Sequence, residues 1–144
     1  MSSLYLIAHI NGVRVALDSD HIESIVNVQE VIPVPKSDLG IAGLFALRSR
    51  VLTLIDSQYM VTGIAQTACK GALAVVAEIG GHHYGLLVDA VEDVVLIGDD
   101  QMEVNIKPPA IWSPLVTDTA SVDEELVMIL DPSKLVNAPE ALAA

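Results

Sequence analysis

The sequence predicts an all-β chain folded as two small barrels packed together. Three observations carry this. Apolar residues recur with a period of two, turn residues cut the chain into short runs, and one β unit is written twice at a fixed offset.

Leu4, Leu6, Ala8 and Ile10 alternate with Tyr5, Ile7 and His9, and after Asn11-Gly12 the alternation resumes at Val13, Val15 and Leu17. Asn and Gly tolerate the positive φ angles of a tight turn, so these two runs read as a hairpin. Residues 25–31, 51–55, 73–79, 84–88, 91–97 and 126–130 read as further strands, rich in β-branched aliphatic residues. Helix signals are few. Asp131-Pro132-Ser133 offers an N-cap followed by proline at the first helical position, so a short C-terminal helix is expected there. Residues 36–43 are expected to form one turn of helix.

The repeat shows at an offset of 69. Ile10-Asn11-Gly12 falls on Ile79-Gly80-Gly81, Ile22-Glu23-Ser24-Ile25-Val26 on Val91-Glu92-Asp93-Val94-Val95, and Leu4, Leu6 and Ala8 on Leu73, Val75 and Ala77. Ile55-Asp56 resembles Leu130-Asp131, the offset having grown to 75 through a longer loop. Apolar strands resemble one another by chance, but shared Gly, Glu and Asp positions favour a true repeat.

Composition bounds the function. A chain of 144 residues fits one domain and is long enough for a real core. With 52% hydrophobic and 18% charged residues it cannot be disordered. A mean hydropathy of +0.54 raises the question of a membrane span. The longest apolar runs, 41–47 and 71–77, stop short of the ~20 residues a spanning helix needs. No basic residue precedes Leu4, and His9, Asn11 and Arg14 break the first apolar stretch, so no signal peptide is predicted. Cys69 is the only cysteine, which excludes an intrachain disulfide and fits a cytoplasmic setting. A net charge of −12 repels phosphate backbones and anionic lipid, so neither nucleic-acid binding nor direct membrane insertion is expected. Residues 1–69 hold six acids and four bases, residues 70–144 thirteen acids and three bases. That imbalance reads either as a solvated acidic face or as two halves that meet different partners.

Catalytic chemistry finds little to work with. His82 and His83 are adjacent in an expected strand and point to opposite faces, which makes them poor joint ligands. His9 and His21 have no Cys or His at metal spacing, and neither a phosphate-binding glycine loop nor a GxSxG elbow occurs. No catalytic residue, cofactor or metal is expected. What remains is Arg48 and Arg50, within the run from Gly43 to Asp56. Arg48 lies between apolar runs, where an arginine can bury its stem and present a planar fork to a carboxylate or carbonyl. Ordinary solvated charge is the alternative for both.

That same stretch carries a family resemblance. Val31-Ile32-Pro33-Val34-Pro35, Gly43 and the run Leu44 to Asp56 resemble the central signature of CheW-like domains. There a proline-bearing segment precedes glycine, two apolar residues, Asn-Leu-Arg-Gly, an apolar strand and an Asp. Ile22-Glu23-Ser24-Ile25 and the run from Gly85 to Val94 resemble the family's other landmarks, so the likeness spans Leu4 to about Val136. Four positions depart: Ala46 replaces the family's Asn, Ser49 its Gly after Arg, Thr53 its strand proline, and Ser24 its usual acid.

The resemblance implies two intertwined five-stranded SH3-like barrels with a short C-terminal helix. It implies one domain over 1–144, with subdomains of about 14–67 and 1–13 plus 68–136. It implies a non-enzymatic adaptor that couples the cytoplasmic tip of a chemoreceptor to the regulatory domain of a CheA-type histidine kinase. The adaptor would be cytoplasmic and recruited to membrane receptor arrays, in the stand-alone form because no receiver-sized segment follows residue 144. The expected partner-binding residues are Arg48, Leu47, Gly43, Leu44, Ile22 and Arg50. The competing readings are a self-associating β-barrel scaffold and a small-ligand-binding barrel without a kinase partner.

Overall fold

The computed structural model describes residues 2–32, 41–62, 71–103, 106–108, 112 and 115–134. Its strands are β1 (Ser2–Ile10), β2 (Val13–Asp18), β3 (Ile22–Asn27), β4 (Ile41–Leu47), β5 (Arg50–Ile55), β6 (Leu73–Ile79), β7 (His82–Val88), β8 (Ala90–Gly98), β9 (Val116–Val122) and β10 (Glu125–Leu130). One short helix, α1 (Ser57–Thr62), follows β5. Two five-stranded sheets result, in the orders β8-β1-β2-β10-β9 and β3-β6-β7-β5-β4. The all-β, two-barrel expectation holds.

The repeat explains this arrangement. At an offset of 69, β1, β2 and β3 fall on β6, β7 and β8; at 75, β4 and β5 fall on β9 and β10. The two strand orders are therefore one order with the copies exchanged. Each copy leaves its first two strands in one sheet and crosses to the other for its last three. The sheets consequently divide elsewhere than at the expected subdomain limits of 14–67 and 1–13 plus 68–136. Residues 2–18 pair with 90–130, and 22–55 with 73–88. The reason lies in the connectors. A three-residue turn, Ser19–His21, separates β2 from β3, and Asp89 alone separates β7 from β8, so the chain changes sheet at both points. Asp89 also ties the first hairpin to this crossing, accepting from the Gly12 N–H at 2.7 Å and donating its own N–H to the His9 carbonyl.

Burial follows in three layers. Leu6, Ala8, Ile10, Val15 and Leu17 pack against Ile55, Val75, Ala77, Leu86 and Val88 between the sheets, joined by Trp112 and Leu130. Ile7, Ala16, Ile97, Ala120, Val122, Val127 and Ile129 fill the interior of the first barrel; Val28, Phe45, Leu52, Leu54, Ala74, Val76 and Leu87 fill the second. Strands β1, β2, β6 and β7 are thus apolar on both faces for much of their length. That is why residues 73–77 and 84–88 read as nearly unbroken apolar runs rather than strict alternation.

Three elements escaped the pattern reading. β4 takes up residues 41–43, which were expected in a helical turn; residues 36–40 of that turn lie outside the described residues. Ile41–Gly43 are extended because they pair with β5 across a register shift. β9, Val116–Val122, carries Thr117, Thr119 and Ser121 at alternate positions, and Asp118 interrupts the apolar set of Val116, Ala120 and Val122 on the other face. Helix α1 begins after Asp56, whose carboxylate accepts from the Tyr59 N–H at 3.0 Å. Asp131 plays the same part 75 residues later, accepting from the Ser133 N–H at 2.9 Å ahead of the helical residues 132–134. The expected C-terminal helix therefore starts where predicted, and its continuation lies outside the described residues.

Candidate partner-binding surface

The hairpin joining β4 to β5 closes on the pair Leu47 and Arg50, leaving Arg48 and Ser49 as a two-residue turn. Arg48 takes the left-handed backbone position at φ +60 and is exposed. Among the described residues it has no hydrogen bond or ion pair. Its neighbours in the expected site are placed differently. Leu44 and Leu47 are half-buried, and Leu47 packs on the second barrel's interior. Ile22 is half-buried against the core between the sheets. Gly43 is buried at φ +149, and a Cβ there would lie 2.7 Å from the Ile32 carbonyl oxygen and from Val31 Cγ1. Ile32 and Leu44 exchange both backbone hydrogen bonds across this contact, at 2.8 and 2.9 Å. Gly43 thus lets residues 31–32 cover the edge strand β4 and offers no surface of its own.

Arg50 is separated from Arg48 by the turn and is engaged. Its Nη1 lies 2.9 Å from His83 Nε2 and its Nη2 3.7 Å from Glu23 Oε2. His83 Nε2 is also 2.9 Å from Glu23 Oε1 and 3.7 Å from Glu78 Oε2. Pattern reading missed this row, which runs across the four adjacent strands β3, β6, β7 and β5 at the rim of the second barrel. A register shift between Ile22 and Ser24 turns Glu23 toward it. The repeat holds the signal that would have found it. Glu92, His9, Arg14 and Glu125 stand at the matching positions of the first barrel, with His9 Nε2 2.7 Å and Arg14 Nε 2.9 Å from Glu92 Oε2, and Arg14 Nη1 3.1 Å from Glu125 Oε2. Hydrogen bonding, chiefly from His83, holds the Glu23 carboxyl below its ordinary range; His9 and Arg14 do the same for Glu92. Although Glu23, Glu78 and His83 converge closely, the imidazole nitrogen facing both carboxylates already meets Arg50, so the set as arranged does not fit a metal.

The other exposed feature is apolar. Leu4 and Leu96 face each other across β1 and β8, with Val94 two residues along, and the three are 49, 62 and 54% exposed. They extend the face that packs between the sheets out to an edge strand.

A model of the CheW-like domain matches residues 4–140 of the chain. The chain belongs to the CheW-like domain family. It is 27% identical over 122 residues to a chemotaxis protein CheW of Thermotoga maritima, covering 84% of this chain and 79% of that protein. The fold is similar to the crystal structure of the scaffolding protein TtCheW from Thermoanaerobacter tengcongensis, with a TM-score of 0.77 and 24% identity over 90% of this chain and 89% of that one. The chain is thus a CheW-like chemotaxis adaptor by family, with the family's two-sheet architecture. Its departure at Thr53 is readily accommodated. Thr53 sits in β5 between Leu44 of β4 and Tyr84 of β7, where threonine keeps an N–H that proline lacks. Ser49, where the family has glycine, is not a positive-φ residue; the left-handed position of this turn is taken by Arg48. Among the described residues no helix is long and apolar enough to cross a membrane.

Proposed function

We propose that this chain is a non-catalytic adaptor joining the cytoplasmic tip of a chemoreceptor to the regulatory domain of a CheA-type histidine kinase, working in receptor arrays. One observation carries the reading: Arg48 is a guanidinium at a hairpin tip, free of partners among the described residues, in the stretch that resembles the family signature. A fork-shaped cation held in a strained turn without an internal partner suits recognition of a carbonyl or carboxylate on another chain. The barrel interiors support binding at the surface, because their buried side chains form continuous cores.

Titration calorimetry with a receptor-tip peptide and with the kinase regulatory domain tests this. Arg48→Ala should weaken receptor-tip binding by about 1.5–3 kcal/mol, the usual range for a hydrogen bond to a charged group. Arg48→Lys should restore only part, since a point charge cannot reproduce a two-donor fork. Arg50→Ala should cost less than half as much, because Arg50 is committed to His83 and Glu23. Unchanged affinity in Arg48→Ala would remove Arg48 from the site. Self-association without binding to either partner would convert the reading to that of a structural scaffold.

A further inference from the structure

The two charged rows occupy matching positions, yet their hydrogen-bond logic differs. In the first barrel the shared atom is a carboxylate oxygen: Glu92 Oε2 faces His9 Nε2 at 2.7 Å and Arg14 Nε at 2.9 Å. Both neighbours can donate to it at once, so one arrangement satisfies all three groups. In the second barrel the shared atom is an imidazole nitrogen. His83 Nε2 faces Arg50 Nη1, which only donates, and Glu23 Oε1, which as a carboxylate only accepts, each at 2.9 Å. A ring nitrogen can serve one of these neighbours at a time. Without its proton, Nε2 accepts from Arg50 and turns a lone pair toward Glu23. With its proton, Nε2 donates to Glu23 and meets Arg50 as donor against donor, with like charge added when the ring is cationic.

We propose that His83 is a proton-operated latch on Arg50. The neutral ring, protonated on its other nitrogen, holds the guanidinium at the barrel rim; the cationic ring closes on Glu23 and Glu78 and releases Arg50. The groups facing the ring come from every neighbouring strand: Glu23 from β3, Glu78 from β6 and Arg50 from β5. The two carboxylates favour the cationic ring, and Arg50 opposes it. Released, Arg50 has somewhere to go. A hollow of about 360 Å³ lies beside it, lined by Val51, Thr53, His82 and Tyr84 as well as by Arg50 and His83 themselves. Arg50 is 46% exposed, so its side chain is not locked by packing. The latch stands on the geometry of the row and does not depend on which partner the adaptor binds.

The test is nitrogen NMR of the imidazole rings and of the Arg50 guanidinium in the full-length chain, from pH 5 to 8.5. Above the transition, His83 Nε2 should lack a proton and the Arg50 guanidinium should rotate slowly. Below it, Nε2 should be protonated and Arg50 should rotate freely, both changes sharing one midpoint. Arg50→Ala removes an opposing cation and should raise the His83 midpoint by about half a pH unit or more; Glu23→Gln removes a supporting anion and should lower it by a similar amount. His9, whose row has one satisfied arrangement, is the internal control and should not move in either variant. An Nε2 proton present at every pH, or an Arg50 whose mobility ignores the His83 transition, would overturn the latch. So would identical midpoints in the parent and both variants.

Discussion

Arg48 and Gly85 show how single residues divide between binding and packing. Arg48 holds φ +60 without being glycine, a position that costs an L-residue on the order of 1–2 kcal/mol. Arg48→Gly should therefore raise the melting temperature while losing receptor-tip affinity as Arg48→Ala does. A melt and a titration on one sample check both signs, and a loss of stability would make the side chain structural. Gly85 is the opposite case. A Cβ there would come within 2.5 Å of Phe45 Cε1 and 2.7 Å of Cζ, inside the second barrel. Gly85→Ala should cost about 1–3 kcal/mol by overpacking, and adding Phe45→Leu should recover part of it. Chemical denaturation of the four-member cycle measures that coupling. Additive losses would mean that the aromatic ring is not what excludes the methyl.

Strands in the paired rows couple charge to pH. The Glu92 carboxyl lies below its ordinary value of 4.5 because His9 and Arg14 donate to it. A depressed carboxyl contributes stability that is fully present above 4.5 and fades as pH falls through the lower folded-state value. Acid unfolding should thus steepen below about pH 4.5, and Glu92→Gln should flatten that limb while leaving the neutral-to-alkaline limb nearly unchanged. Melting temperature against pH, from 3 to 8, reads the difference. The row was only partly legible in the chain. The 69-residue offset aligns Glu23 with Glu92, but that all four strands lie side by side follows from the swap. Asp56 shows a similar gap. Its cap on α1 lacks the proline that made Asp131 obvious, although the 75-residue offset marks both.

At the scale of the whole molecule, the exchange of strands makes the barrels one cooperative unit. Neither sheet can form from one copy of the repeat, because each takes two strands from one copy and three from the other. Calorimetry should therefore show a single transition, with the calorimetric and van't Hoff enthalpies equal. Two resolved transitions would show that the barrels unfold separately. The exchange also redistributes charge. The acid-rich second half contributes β8, β9 and β10 to the first sheet, so Glu92, Asp93, Asp118, Asp123, Glu124 and Glu125 gather on one barrel. If that barrel meets a cationic partner surface, the association rate should fall steeply between low and physiological salt. Stopped-flow kinetics across that range decide it, and a salt-independent rate would leave these acids a role in solubility alone.

Period, turns and repeat were enough to determine an all-β chain of two related units, because alternation and Asn-Gly turns act locally and need no distant partner. They also marked Arg48 as a cation between apolar runs. What only the tertiary structure decided is which copy supplies which strand, and hence which side chains meet. Strand pairing joins segments more than 80 residues apart, as in β1 with β8, which brings Glu92 within reach of Arg14, and a side-chain pattern of period two carries no address for its partner. The same limit hid the buried fit of Gly43 under Ile32 and the shared nitrogen of His83, since both are properties of contacts rather than of residues.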